Sequence, residues 1–145
     1  MENSMTKEED LQKYMALIEQ YKEQLNSLDA QFSYLQNAIM DQTKAKMTLE
    51  HLSKGDTSVD VLLPIGGGAF INATAKKTTK VLFDVGDGVI IEKTSDDVIN
   101  TMDKRIKNLQ QTEEKISNMA QKLQTEAAEV TDKAQRLMSG MPLDG

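Results

Sequence analysis

The sequence predicts an α+β fold in which a long antiparallel two-helix coiled coil carries two central β-hairpins that join an oligomeric β-barrel body. Three observations lead to this prediction. All eight Gly and both Pro lie outside residues 7–54 and 95–139, apolar residues recur at heptad spacing within both stretches, and residues 56–94 are rich in Val, Ile, Phe and Thr. Because Gly and Pro break helix interiors, each stretch is expected to form one helix. The length indicates a single domain spanning residues 1–145.

The ends of the two predicted helices carry suitable capping residues. Thr6 precedes Glu9 at the spacing of a capping box, and Gly55 follows the first helix where a C-terminal glycine belongs. Residues 94–97 supply N-caps and acidic side chains for the second helix, and Gly140 follows its last residue. Helices of this length exceed those of ordinary globular domains, so each requires a coiled-coil partner.

Apolar side chains form a heptad seam along both helices. In the first helix, where Gln42 and Lys46 interrupt it, the seam consists of Leu11, Tyr14, Ile18, Tyr21, Leu25, Leu28, Phe32, Leu35, Ile39 and Leu49. In the second helix it consists of Ile99, Met102, Ile106, Leu109, Glu113, Ile116, Ala120, Leu123, Ala127, Val130, Ala134, Leu137 and Met141. Antiparallel pairing of residues whose numbers sum to 148 places Leu28 opposite Ala120. A large side chain then packs against a small one, as close packing requires. A slip of seven residues would preserve the heptads, and this register is therefore a hypothesis.

The central segment is predicted to form four short strands, at residues 59–63, 69–74, 80–85 and 88–93, which pair as two hairpins. Such strands bury little, and their apolar residues lie on both faces, so we expect them to pair with strands of other subunits in closed barrels. The candidate oligomerisation residues are Val59, Val61, Leu63, Phe70, Ile71, Val81, Phe83, Val85, Val89 and Ile91. The turn glycines are Gly66, Gly68, Gly86 and Gly88.

Composition and charge exclude several classes of function. With 23 acidic and 17 basic residues, the formal charge of −6 provides no excess positive field for a nucleic-acid backbone. No apolar run approaches the ~20 residues of a membrane span, and residues 1–10 are polar and acidic, unlike a secretory leader. We therefore expect a cytoplasmic protein with neither a nucleic-acid nor a membrane partner, and the absence of Cys fits a reducing compartment.

No pattern of residues indicates an enzyme, a metal site or a cofactor. Cys is absent, the single histidine, His51, has no identifiable partner, and the carboxylates are spread along helix faces. The glycines at 66–68 could suggest a phosphate-binding loop. However, no Lys-Ser/Thr pair follows directly and no helix begins there, so a tight turn is the better interpretation.

Two glycine motifs lie in this helix–hairpin–hairpin–helix layout: LPIGGGAFINA at residues 63–73 and VGDGV at residues 85–89. Layout and motifs together resemble the α-class subunit of prefoldin, also called GimC, of the archaeal type. Two hairpins rather than one distinguish the α class from the β class in that family. The resemblance implies a hexamer of two α and four β prefoldin subunits, with a β-barrel body and projecting coiled coils. It further implies capture of non-native proteins without ATP and their delivery to a group II chaperonin.

The helix ends distant from the hairpins are the predicted client-binding sites. Beyond the layer of Leu11 and Leu137 the partner helix ends, which leaves apolar side chains with few neighbours, and flexible Met suits a surface that accepts many sequences. The candidate client-binding residues are Met5, Leu11, Met15, Leu137, Met138, Met141 and Leu143. One alternative is that these Met residues belong to a frayed end without function. Another is that the chain is a structural coiled-coil scaffold subunit without client binding.

Overall fold

The computed structural model describes residues 2–55, 58–77 and 80–140, with side chains from Thr6 onward. Two long helices flank four strands, which confirms the predicted fold class. In chain order the elements are α1 (Glu2–Lys54), β1 (Val59–Gly66), β2 (Ala69–Ala75), β3 (Lys80–Asp84), β4 (Ile90–Thr94) and α2 (Ser95–Ser139).

The chain divides into two compact units. We call Met1–Gln36 together with Gln111–Gly145 the helical unit, and Asn37–Gln110 the central unit. The helical unit contains the first part of α1 and the second part of α2. The central unit contains all four strands with the adjoining parts of both helices.

The start of α1 lies five residues before the predicted start at Lys7, because the helix extends to Glu2. Residues 2–6 contain neither Gly nor Pro, so nothing in the sequence terminates the helix at the Thr6 capping box.

The core of the helical unit is the predicted heptad seam. Every seam position of α1 from Leu11 to Leu35 is buried or half-buried, and every position between them is exposed. In this unit, Leu28 and Phe32 line the same groove as Ile116 and Ala120. A slip of seven residues would replace Ala120 with Glu113 or Ala127 opposite Leu28, so the structure agrees with the predicted register in this unit.

The first hairpin of the central unit pairs β1 with β2 in antiparallel register, from Val59 with Ala75 to Gly66 with Ala69. The connecting Gly67 and Gly68 have φ angles of 61° and 78°, which suit the two-residue turns that match strand twist. An irregularity in the pairing between Pro64 and Gly66 lets β1 continue beyond its predicted end at Leu63.

The second hairpin pairs β3 with β4, from Lys80 with Thr94 to Asp84 with Ile90. Its five-residue loop is closed by a hydrogen bond in which the Val85 N–H donates to the Val89 carbonyl at 2.9 Å. The prediction that β4 begins at Gly88 is wrong, as is the inclusion of Val85 in β3. Gly88 has a φ angle of +77° within the turn, so the extended backbone resumes only at Ile90.

The second helix follows β4 without a connecting loop. The Asp97 N–H donates to Thr94 Oγ1 at 3.2 Å, an N-cap of the kind predicted at residues 94–97. One turn into the helix, Val98 is 1% exposed and Ser95 is also buried. Leu49 of α1 is likewise buried in the central unit.

Candidate functional site

The first hairpin exposes apolar side chains on both faces. On one face, Leu62 is 64% exposed and Phe70 is 61% exposed, and Phe70 pairs with Pro64 across the strands. On the opposite face, Leu63 pairs with Ile71, and both are exposed, whereas Val59 and Val61 nearer the helices are half-buried. The exposed apolar surface is therefore concentrated toward the turn.

The second hairpin has one face that α2 partly covers and one open face. Arg105 of α2 lies over the Phe83 ring, with its guanidinium carbon 4.8 Å from the ring centre. This cation–π contact attaches the inner face to α2. On the outer face, Leu82 is 77% exposed and Ile90 is 62% exposed.

The structure distributes the predicted oligomerisation residues between two environments. Half-buried positions within the central unit are Val59, Val61, Val81 and Phe83. Exposed positions are Leu63, Phe70, Ile71, Val85, Val89 and Ile91. The predicted turn glycines Gly66, Gly68, Gly86 and Gly88 all have positive φ angles.

Four strongly exposed apolar residues were missing from that prediction. Leu62, Ile65, Leu82 and Ile90 are each more than 60% exposed. The available signal was the period-2 alternation of the strands, because it places Leu62 on the face opposite Val61 and Leu63, Leu82 on the face opposite Val81 and Phe83, and Ile90 on the face opposite Ile91. In the second hairpin the prediction selected the face of Val81 and Phe83, which is the face that Arg105 of α2 contacts.

The hairpins form two separate two-stranded sheets, one from β1 and β2 and one from β3 and β4. In a two-stranded sheet each strand has one unpaired edge, whose N–H and C=O groups can pair with another chain. Isolated hairpins are marginally stable in water. Open edges and exposed apolar faces together suit this region to contact with other chains, and we name the exposed residues of 62–71 and 82–91 the assembly surface.

A polar layer lies in the helix seam of the central unit, at the interruptions predicted from Gln42 and Lys46. Lys46 Nζ is 2.6 Å from Asp103 Oδ1 on the facing helix and 3.9 Å from Glu50 Oε1. The hydrogen bond to Asp103 raises the pKa of Lys46 above its ordinary value, with further contributions from the charges of Asp103 and Glu50. Within the described residues, the buried Oε1 atom of Gln42 has no hydrogen-bond partner.

The predicted client-binding residues are partly described by the structure. Met15 is 61% exposed and Met138 is 70% exposed, whereas Leu11 and Leu137 are half-buried at seam positions. The Met5 side chain, Met141 and Leu143 lie outside the described residues. The described part of the prediction thus consists of two seam residues and two exposed methionines in the helical unit.

The described residues contain no group of three His, Asp or Glu side chains placed to hold a metal ion. No helix within the described ranges combines the length and apolarity needed to cross a bilayer. His51 is exposed and lines an open groove between the end of α1 and β1, together with Met47 and Val59.

Two long helices joined through two exposed β-hairpins are typical of coiled-coil subunits. The edges of their strands are free to pair with strands of other chains. The family model described as prefoldin subunit matches residues 21–139. The prefoldin subunit alpha of Archaeoglobus fulgidus is 29% identical over 126 residues, which cover 87% of this chain and 92% of the relative. The prefoldin subunit alpha of Methanoregula boonei is 35% identical over 132 residues, covering 91% and 82% respectively.

Among solved structures, the chain is similar to filamentous PFD from Methanocaldococcus jannaschii, determined by cryo-EM, with 22% identity and a TM-score of 0.49. That similarity covers 86% of this chain and 98% of the other. From the family model and the curated relatives, the chain belongs to the prefoldin family, a family of chaperone subunits, as an α-class member of archaeal type. The resemblance stated from the two glycine motifs is thereby confirmed.

Proposed function

We propose that the chain is a subunit of an ATP-independent holdase that binds non-native proteins at the ends of its helices and delivers them to a group II chaperonin. In this proposal its hairpins join those of prefoldin β subunits in a hexamer of two α and four β chains. The observation that carries the proposal is the assembly surface, because a lone chain leaves its large apolar side chains in water. The chain acts by binding, without enzymatic chemistry.

The energetics of the hairpins support assembly with other subunits. Full burial of a Leu, Ile or Phe side chain stabilises a structure by about 1.5–3 kcal/mol. This stabilisation becomes available to four exposed side chains only when another chain covers them: Leu62, Phe70, Leu82 and Ile90. Addition of strands at the open edges would also pair the backbone groups that each two-stranded sheet leaves free.

Met15 and Met138 support client binding at the helix ends. Both are exposed, unbranched and polarizable, and such side chains adapt to many apolar sequences. One pair of methionines gives only weak contact. Several subunits that bind one client together would add avidity without any need for nucleotide.

Mass measurement under native conditions tests the assembly. We expect the chain, mixed with a β-class prefoldin subunit, to give the mass of a complex with two α and four β chains. A chain that stays monomeric under these conditions, with its secondary structure intact, would contradict the proposal.

Aggregation assays test client binding and separate the holdase from a structural scaffold. We expect the assembly, without ATP, to keep a chemically denatured protein from aggregating, and Met15→Glu/Met138→Glu to weaken this suppression. Met40→Glu/Met47→Glu is the matched control, because both residues are exposed methionines of the central unit. An assembly that forms but never suppresses aggregation would instead support the scaffold.

A further inference from the structure

One flank of α1 is free of charge from Leu17 to Tyr34 in the helical unit. Six exposed positions, spaced alternately by three and four residues, lie on the same side of the seam. These positions, the uncharged flank, are Leu17, Gln20, Gln24, Ser27, Gln31 and Tyr34. The opposite flank carries Glu19, Lys22 and Asp29 over the same stretch. Charged residues normally border a coiled-coil seam, so their exclusion from one side is a distinguishing property of this surface.

Two open cavities run along the uncharged flank. Ser27 and Tyr34 line one cavity of about 410 Å³ with Thr112 and Ile116 of α2. Ser27 also lines the next cavity, of about 450 Å³, with Met119 and Leu123. Because they share Ser27, the two cavities form one groove between the helices of the helical unit. Each has the size of a ligand-binding pocket, about 300–1,000 Å³.

The groove contains exposed side chains suited to apolar contact. Tyr34 is 73% exposed and Met119 is 54% exposed. The other aromatic residues described in this unit, Tyr14, Tyr21 and Phe32, are half-buried at seam positions, so Tyr34 has no comparable role in the core. Tyrosine is enriched among residues that dominate binding energy, and methionine adapts to varied partners.

We propose that this groove is a second contact surface for clients, which holds an apolar, uncharged segment of a non-native polypeptide alongside α1. The inference rests on the proposed holdase function and extends it from the helix ends to the flank. From Gln24 to Tyr34 the groove extends ~15 Å along α1 at 1.5 Å per residue, enough for about four extended residues.

The charges around the groove favour this occupant. A folded partner of fixed sequence normally has charges at its rim that require complementary charges, and the uncharged flank offers none. The Gln24 side chain can donate to or accept from any exposed peptide group, whatever its sequence, whereas Gln31 Nε2 already donates to Ser27 Oγ at 3.2 Å. Lys122 and Glu126 of α2 border only the cavity that contains Met119. The α1 side of the groove therefore favours segments that are apolar and uncharged.

The test uses the assembly of this chain with its β-class partner and a labelled, reduced and carboxymethylated polypeptide that cannot refold. The groove variant is Tyr34→Glu/Met119→Glu. The matched control is Ser33→Glu/Asn118→Glu, which adds the same charge at adjacent exposed positions that line neither cavity of the groove. We expect the groove variant to weaken binding of the polypeptide about tenfold and the control to bind like the parent assembly.

Photo-crosslinking identifies the occupant directly. With a benzoylphenylalanine at position 34, we expect crosslinks to the labelled polypeptide that are absent when the same group is placed at position 33. Equal binding by the groove variant and the parent, or crosslinks from position 34 only to another copy of this chain, would overturn the inference and leave the proposed function standing. A parent assembly that binds no polypeptide would overturn both.

Discussion

At the scale of single residues, the pair formed by Lys46 and Asp103 gives the central unit a pH-dependent contact. Its hydrogen bond raises the pKa of Lys46 above the ordinary value of 10.5, so folding favours the charged lysine. The resulting stabilisation is fully present below pH 10.5 and is lost as the pH rises through the raised pKa. We expect Lys46→Gln to lower the Tm at neutral pH, and the difference from the parent to shrink above that pKa. Thermal unfolding followed by circular dichroism measures both.

Lys44→Gln is the control for this prediction. Lys44 is exposed two residues away, and no ion pair to it is found within the described residues. We expect this variant to keep the parent's Tm across the same pH range. A Tm difference for Lys46→Gln that stays constant through the alkaline range would show that the side chain contributes by packing and not by its charge.

Helix periodicity predicts some buried residues of this chain and misses others. The heptad repeat identified the seam of the helical unit from Leu11 to Leu35, because helix periodicity is a local property. It did not identify Val98, the most buried apolar side chain described, and indicated the half-buried Ile99 instead. Val98 lies seven residues before Arg105, on the same face of α2, and Arg105 contacts Phe83. Contact between a helix and a strand distant in sequence is not encoded in helix periodicity.

At the scale of elements, the second hairpin is attached to α2 by the contact between Arg105 and Phe83. Such cation–π contacts contribute about 0.5–1 kcal/mol at accessible sites. We expect Arg105→Ala to increase the opening of β3 and β4 about two- to fivefold, because the inner face loses its cover. Amide hydrogen exchange of these strands in the isolated chain is the measurement.

Lys104→Ala provides the comparison for this hairpin, since it removes a neighbouring exposed cation from the same turn of α2. Exchange in β1 and β2 should not change in either variant. Equal exchange of β3 and β4 in the Arg105→Ala variant and the parent would mean that other contacts hold the hairpin on the helix.

Elements were predicted in type and order, and their ends were predicted less well. Short segments rich in Val, Ile and Phe, separated by turn residues, predicted the four strands, because β-branched and aromatic residues favour extended backbone. The extension of β1 to Gly66 depends on a local irregularity in pairing, and the late start of β4 depends on the backbone angle of Gly88. Both are properties of the paired hairpin, which the composition of a single strand does not contain.

At the scale of the whole molecule, the fold class followed from the distribution of Gly and Pro, whereas the assembly surface required the structure. The sequence indicates that the strands are apolar on both faces, and which face of the second hairpin is free depends on its contact with α2. Arg105 covers Phe83, whereas Leu82 and Ile90 on the opposite face are the most exposed apolar side chains of this hairpin. These two residues therefore provide the sharpest test of assembly.

We expect Leu82→Lys/Ile90→Lys to weaken assembly with the β-class partner about a hundredfold, because two side chains worth about 1.5–3 kcal/mol each when buried are replaced by charges. The helix content of the isolated chain should not change, since both positions are exposed. Glu92→Lys is the matched control: it makes the same change in charge and pairs with Leu82 across the strands. Native mass measurement over a range of concentrations gives the assembled fraction. If Glu92→Lys weakens assembly as much as the double variant, charge on this face would be the cause, and the outer face of the second hairpin would not be an apolar contact between subunits.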